Sequence, residues 1–336
     1  MSDATPSSRM APEGRVFVAG HRGLVGSALL RRLRDLGHAQ PITRTHHELD
    51  LADAAATDAF FAREKPEYVF LAAAKVGGIH ANNTYPADFI RENLAIQTSV
   101  IRAAHAHGVR RLLFLGSSCI YPRMAPQPIV EASLLTGPLE PTNRAYALAK
   151  IAGIEMCWSY NRQHGTRFLC AMPTNLYGPG DNYDLANSHV IPALLRKFHE
   201  ARDRGDSKVT VWGTGTPRRE FLYSDDLAGA CVHLMALPDV EYRRLLAATD
   251  ADTGRAEPPL VNIGVGEDVT IRELAELVRK VVGFAGRISL DTNKPDGTPR
   301  KLLDVSRLHA SGWRARTGLR EGLEAAYRDF LAHAHA

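Results

Sequence analysis

One short run near the N-terminus restricts the fold more than any other. Val16-Phe17-Val18-Ala19 reads as a buried strand, and it runs directly into Gly20-His21-Arg22-Gly23-Leu24-Val25-Gly26. Ser27–Leu36 then reads as an amphipathic helix that stops at Gly37. Strand, glycine turn and helix, in that order, is the context a dinucleotide fingerprint requires. The glycines permit a tight turn and let backbone amides approach a pyrophosphate at the positive end of the helix. The spacing is GxxGxxG rather than GxGxxG. Glycines also serve ordinary turns, so it is the surrounding strand and helix that carry the reading.

The same alternation continues along the chain. Pro41–Thr43 reads as a second strand, and Asp53–Glu64 as a helix with Asp53 as its cap. Val69–Ala74 reads as a buried strand, Asp88–His107 as a long helix, and Leu112–Leu115 and Phe168–Met172 as further buried strands. Strands alternating with helices predict an α/β fold: a Rossmann-type doubly wound parallel sheet. An enzyme of this type meets the adenosine ribose at the end of its second strand. An acidic residue there suits the 2′-hydroxyl of NAD, whereas an arginine accommodates the 2′-phosphate of NADP. The position holds Arg44, with Arg22 available from the glycine loop, and this favours NADP(H). Asp50-Leu51 is placed to approach the adenine.

At 336 residues the chain is long enough for about two domains. The predicted division has residues 1–14 as a flexible tail and 15–178 as mainly the NADP-binding domain. Residues 179–336 form mainly a smaller C-terminal α/β substrate-binding lobe, with the chain crossing back to the first domain. The tail is rich in Ser, Pro and Ala and lacks the apolar core of a signal peptide. With 41 Lys and Arg against 37 Asp and Glu, the net charge of +4 is too mild and dispersed for a nucleic-acid partner. No apolar run reaches the ~18 residues of a membrane span. Cys119, Cys157, Cys170 and Cys231 show no CxxC pair and no metal-ligand spacing, which predicts a reducing, cytoplasmic setting and no metal.

The chemistry concentrates after the strand Leu112–Leu115. Gly116-Ser117-Ser118 follows at its C-terminal end, where open α/β sheets bind ligands. Tyr146 and Lys150 then sit four apart on one face of a helix. Free tyrosine ionises near pH ~10, and a neighbouring ammonium lowers that value. The tuned phenol can exchange a proton with a carbonyl or alkoxide oxygen, and a serine hydroxyl can hold the same oxygen. Tyr-x-x-x-Lys also occurs on many solvated helices, so its weight comes from what precedes it. Read alone, Cys119 is a small buried hydrophobe, His189 is a structural histidine and Lys197 is a solvated lysine.

Asn187–Arg202 reads as a helix entered through His189. Val209–Gly213 and Arg218–Phe221 suggest the substrate lobe. There Arg219 offers a bidentate grip on a diphosphate, and Trp212 an apolar face for a base or sugar. Ser224-Asp225-Asp226 reads as a cap leading to Ala236, Val261–Gly264 as a strand and Thr270–Val282 as a capped amphipathic helix. Trp313 and the helix to Ala336 are expected to complete the lobe's core, and Lys294–Lys301 adds basic groups.

From Val16 onward the chain resembles the GDP-L-fucose synthase family of extended short-chain dehydrogenase/reductases. The resemblance rests on the runs Ala19–Ser27, Ala73–Ile79, Asn82–Ile90, Leu115–Pro122, Met172–Pro179, Asn187–Leu195 and Lys294–Lys301. The glycine loop and Tyr-x-x-x-Lys mark only the superfamily; Ser-Ser-Cys together with Ser-His-Val-Ile-Pro is far more specific. The resemblance implies NADPH-dependent epimerisation at C3 and C5 of GDP-4-keto-6-deoxy-D-mannose, then hydride reduction at C4. It makes Ser117, Tyr146 and Lys150 the reductase triad, and Cys119 and His189 the epimerase acid–base pair. The cofactor would be held by Gly20, His21, Arg22, Gly23, Leu24, Val25, Gly26 and Arg44, then by Leu115, Gly116, Ser117, Ser118 and Lys150. Pro173, Thr174, Asn175, Leu176 and His189 would line its nicotinamide end. Lys197, Trp212, Arg219 and Lys301 would bind the GDP-sugar, and the two long helices would form a homodimer.

Two departures stand out: Ala145 where the family usually has proline, which should loosen the start of that helix, and an insertion-like polar segment at 248–258. A nucleotide-sugar 4-epimerase or 4,6-dehydratase would retain a bound NAD, and the dehydratases need a Thr-Asp-Glu-like run where Ser117-Ser118-Cys119 stands. A non-enzymatic sensor on the same fold can lose the tyrosine, which is present here.

Overall fold

The computed structural model describes residues 10–38, 40–185, 188–247, 249, 254, 256–294 and 296–334. In chain order the elements are β1 (Val16–Ala19), α1 (Leu24–Asp35), α2 (Ala54–Glu64), β2 (Tyr68–Leu71), α3 (Ile79–Thr84), α4 (Pro86–Ala106), β3 (Arg111–Leu115), α5 (Arg144–His164) and β4 (Phe168–Pro173). There follow β5 (Asn175–Tyr177), α6 (Val190–Arg204), β6 (Lys208–Trp212), β7 (Arg218–Arg219), β8 (Phe221–Tyr223), α7 (Ser224–Ala236), α8 (Asp239–Leu246) and β9 (Leu260–Ile263). The chain closes with β10 (Val269–Thr270), α9 (Ile271–Val282), β11 (Arg287–Asp291), β12 (Arg300–Lys301), α10 (Ser306–Ala310) and α11 (Leu319–Ala334).

A parallel sheet runs β1-β2-β3-β4-β9. Every residue of its strands is buried. Helices cover both faces, which is why these strands read as continuous apolar runs instead of alternating ones. On one face Phe60, Phe61, Val100, Ile101 and Ile154 pack from α2, α4 and α5. On the other, Leu29 and Leu33 of α1 meet Leu227 and Leu234 of α7.

The expected second strand at Pro41–Thr43 is reduced to a single bridge. Ile42 pairs with Phe17, donating to the Val16 carbonyl at 2.7 Å and accepting from Val18 N at 3.0 Å. Pro41 has no N–H to extend the ladder. Ile42 and β2 therefore flank β1 on opposite sides, so the sheet changes direction at β1. The crevice above such a switch point is where open α/β sheets take their ligands.

A separate core joins α6, α9 and α11 to the strand pair β6 and β11, with Leu194, Phe198, Leu274, Val278, Leu323 and Phe330 at its centre. α11 belongs to this core as expected, whereas Trp313 packs against the α1–α7 side of the sheet, beside Gly229. Helix ends follow local chemistry. Asp53 caps α2 through Ala55 N and Ala56 N, and Thr270 forms a reciprocal capping box with Glu273 at the start of α9. α5 starts at Arg144 straight after a 3₁₀ turn at Pro141–Asn143, so Ala145 lies within its first turn. α6 begins at Val190 with His189 as its N-cap; Asn187 lies outside the described residues. So do residues 1–9 and most of the 248–258 segment, but Met10 is buried against the α1 core. Among the described residues no helix is long and apolar enough to cross a membrane.

Candidate active site

The glycine turn is shaped by two close backbone approaches. Gly20 has φ +83°, and a Cβ there would lie 2.7 Å from the Ala73 backbone. A Cβ on Gly26 would lie 2.1 Å from the Gly20 carbonyl oxygen. Gly23 is the N-cap of α1 and donates its N–H to Gly20 O at 3.1 Å. The first turn of α1, opening with Leu24 and Val25, carries no acidic residue, so its positive end is free to face an anion. His21 is half-buried with Nδ1 unpartnered; its pKa is lowered by burial and then by Arg22, and its ring bonds the Arg44 backbone. Arg22 is exposed. The turn and the Ile42 segment thus meet as expected. Arg44, however, is not free: its guanidinium donates to Glu64 at 2.7 Å and to the Thr43 carbonyl at 2.6 Å, and lies over the Phe60 ring.

The end of β3 carries the Ser117 hydroxyl and the Cys119 thiol. The end of the Met172 side chain packs over Gly116 and would have to move aside for a Cβ there. Ser117 caps the 3₁₀ turn Ser118–Ile120, its Oγ accepting from Cys119 N at 3.4 Å. Lys150, on α5 one turn beyond Tyr146, is buried. Its ammonium donates to the Leu115 carbonyl at 2.8 Å and sits 5.8 Å from the Tyr146 ring centre. The Tyr146 ring meets Phe89 edge-on.

The electrostatics differ from the sequence expectation. Tyr146 is not pulled down by Lys150. Burial pushes its pKa up and the Cys119 thiol adds to this, while a hydrogen bond with Ser117 opposes both. Lys150 is itself desolvated, and its pKa falls to about 8. Desolvation disfavours the charged form of both groups.

One residue, Lys301, bears electrostatically on both Cys119 and His189. Cys119 is buried, and its thiol is pushed up by desolvation; Lys301, then a hydrogen bond with Ser117, then Lys150 pull it down. His189 opens to solvent, and its pKa is lowered by desolvation and then by the same Lys301. Lys301 is pushed down by burial, with Cys119 opposing this, Arg219 adding to it and Glu140 opposing it. A small cavity beside the thiol is walled in part by Ser118, Glu140, Asn143, Thr298 and Lys301.

Farther out, Trp212 is exposed, with Lys197 and Lys294 ammoniums 5.0 and 5.2 Å from its ring centre. Burial lowers the pKa of Lys197. Arg219 is half-buried and beside Asp296, which in turn accepts from the backbone and hydroxyl of Thr214. Arg218 and Arg300 are both tied to Asp268 and leave this group.

At the end of β4, Pro173 and Thr174 are buried and Leu176 is half-buried. Thr174 Oγ1 and Asn175 Nδ2 donate to the Glu220 carbonyl at 3.2 and 2.9 Å, so those side chains are held by the protein. Glu140, Asp296 and Glu220 escaped the sequence reading. Each is a lone acid in its own stretch, with no local signal that it approaches the basic groups.

A doubly wound sheet with a glycine turn at its switch point, and Ser117 at the end of β3 with Tyr146 and Lys150 on α5, defines a nucleotide-dependent enzyme of the epimerase and reductase type. The chain belongs to the NAD-dependent epimerase/dehydratase family, whose model matches residues 16–245. It is 57% identical over 325 residues to GDP-L-fucose synthase 1 of Arabidopsis thaliana, covering 97% of this chain and 95% of the relative. It is 55% identical to the GDP-L-fucose synthase of Escherichia coli K12, covering 94% and 96% of the two chains. Among solved structures, a GDP-L-fucose synthetase from Naegleria fowleri bound to NADP superposes with a TM-score of 0.85 at 26% identity, covering 98% of this chain and 96% of that one.

Proposed function

We propose that this chain converts GDP-4-keto-6-deoxy-D-mannose to GDP-L-fucose, by epimerisation at C3 and C5 followed by reduction at C4. The observation that carries the reading is Cys119 and Lys301 lining one cavity beside Ser117, with Lys150 of α5 bonded to the end of β3. A reductase alone needs the phenol but not the thiol–imidazole pair.

The residues fit NADP(H). The Gly20–Gly26 turn and the start of α1 would hold the pyrophosphate, and Arg22 and Arg44 the 2′-phosphate. Leu115–Ser118 and Pro173–Leu176 would border the nicotinamide, with Lys150 on its ribose. When bound, the cofactor supplies the hydride for C4. Lys197, Trp212 and Arg219 would grip the GDP portion, and Lys301 the region near the sugar. Ser117 and Tyr146 hold the C4 oxygen and stabilise the negative charge that develops on it. Cys119, as thiolate, takes the proton from C3 and His189, as imidazolium, returns one to the opposite face; the thiol then releases its proton to solvent and the imidazole regains one, and the same exchange follows at C5. Lys301 suits both roles: a nearby cation favours the thiolate and makes the imidazolium a stronger acid. Tyr146 finally protonates the C4 alkoxide. A homodimer through α4 and α5, which pack against each other, completes the reading.

The test is incubation with GDP-4-keto-6-deoxy-D-mannose and NADPH in D₂O, followed by NMR of the sugar. The expected product is GDP-L-fucose carrying deuterium at C3 and C5, with one NADPH oxidised per sugar. A C4-reduced sugar of unchanged C3 and C5 configuration, or turnover without net NADPH oxidation, overturns it.

A further inference from the structure

No role in the chemistry above uses Glu220. It is fully buried in the one-residue gap between β7 and β8. One carboxylate oxygen accepts the amides of Val265 and Gly266 at 2.7 and 2.8 Å, and the other accepts that of Leu303 at 3.1 Å. Gly264 makes room for it, since a Cβ there would lie 2.2 Å from the first oxygen. The main chain of Glu220 is equally engaged. Its N–H donates to the Lys301 carbonyl at 3.3 Å, and its carbonyl accepts from Thr174 and Asn175. Among the described residues its carboxylate forms no ion pair; backbone amides are its principal partners.

Three segments therefore converge on one residue: its carboxylate takes the turn after β9 and the chain leaving β12 at Leu303, and its main-chain carbonyl takes the end of β4. Of these, the chain leaving β12 carries Lys301, which lines the cavity beside Cys119. Buried amides need acceptors, and bonds from amides to a carboxylate are stronger than those to a neutral acceptor. From this geometry we infer that Glu220 is a positioning residue, which sets Lys301 against Cys119 and His189 and ties that placement to the Thr174–Asn175 stretch. The inference rests on the functional reading above. Burial raises the pKa of the carboxyl and the three amides oppose that rise, in keeping with an anion held in place by main-chain donors.

Glu220→Gln has nearly the same shape, but its amide nitrogen can only donate. It would face either Leu303 N or the Val265–Gly266 amides, donor against donor. Glu220→Asp keeps the charge on a stem one methylene shorter. The measurements are KM for the GDP-sugar, exchange of the C3 and C5 protons with D₂O, the NADPH dissociation constant by fluorescence, and thermal stability. All are taken well below the melting temperature of each variant. For Glu220→Gln the expected result is about tenfold slower exchange and about tenfold higher KM per folded molecule. Glu220→Asp should recover part of both. If Glu220→Gln does not fold, Glu220→Asp alone decides, with a several-fold effect in the same direction.

Because the effect passes through Lys301, adding Glu220→Gln to Lys301→Met should slow exchange little beyond Lys301→Met alone. A lowered melting temperature with exchange and KM unchanged makes Glu220 merely structural and overturns the inference. Fully additive losses in the double variant overturn its link to Lys301. Wild-type protein that turns over normally beside an unaffected variant sinks only this inference, whereas wild-type protein inert toward the sugar sinks the functional reading itself.

Discussion

The glycine turn between β1 and α1 and the cleft around Cys119 are built by opposite means. The turn is contiguous, and its two tight contacts, at Gly20 and Gly26, are made by missing Cβ atoms against backbone. The cleft takes Ser117 and Cys119 from the end of β3, Tyr146 and Lys150 from α5, His189 from the start of α6 and Lys301 from β12. Its working property is desolvation. Burial is the largest cause acting on Tyr146, Cys119, Lys150 and His189, and in every case it moves the group toward its neutral form. A backbone device can be written into a few consecutive residues. A proton-transfer device needs a low-dielectric surrounding that no single segment provides.

The sharpest way to separate the two regions is Cys119→Ser. Exchange of the C3 and C5 protons with D₂O should fall by about 10²–10⁴-fold, the usual worth of a placed acid–base group. NADPH binding, made at the turn, should be unchanged. Normal deuterium incorporation in this variant would remove the thiol from the cleft's function.

A second test probes the electrostatics through stability. Lys150 has its pKa lowered from 10.5 to about 8 in the fold. Between those values the unfolded chain holds a proton that the folded protein has released, so this group's contribution to stability rises with pH across the window. The rise is at most roughly 3 kcal/mol, because each tenfold change in proton affinity is worth about 1.4 kcal/mol. Denaturation midpoints of the cofactor-free protein from pH 8 to 10.5 should therefore climb relative to Lys150→Met. Parallel curves for the two proteins would mean the ammonium is not desolvated as described.

The smallest effect is expected on the turn's side. Arg44→Ala should reduce the preference for NADPH over NADH about tenfold, or ~1.4 kcal/mol, measured from the two dissociation constants. The loss is modest because Arg44 already shares its charge with Glu64. An unchanged preference would shift the 2′-phosphate contact to Arg22.

Much of the architecture could be read from local pattern. The apolar runs at Val16, Val69, Leu112 and Phe168 are strands of one parallel sheet because each is buried on both faces. Asp53 and Thr270 cap α2 and α9 because their side chains reach amides only two or three residues on. The Pro41–Thr43 strand failed because its residues pair through Ile42 alone. Trp313 was assigned to the wrong core because an isolated aromatic carries no periodicity to say which face it meets. The association of Tyr146 with Lys150 was legible from their spacing, but not the direction in which the phenol's pKa moves, which depends on what covers the ring.

By itself the sequence determined most of the strands, the glycine turn and the helix caps, since all of these are decided within a turn or two of chain. Only the tertiary structure decided that Lys301 shares a cavity wall with Cys119, that Arg300 is drawn off to Asp268, and that Glu220 joins β12 to the ends of β4 and β9. These are contacts between distant segments. Their consequences, which are exclusion of water and proximity of charge, exist only once the packed core brings those segments together.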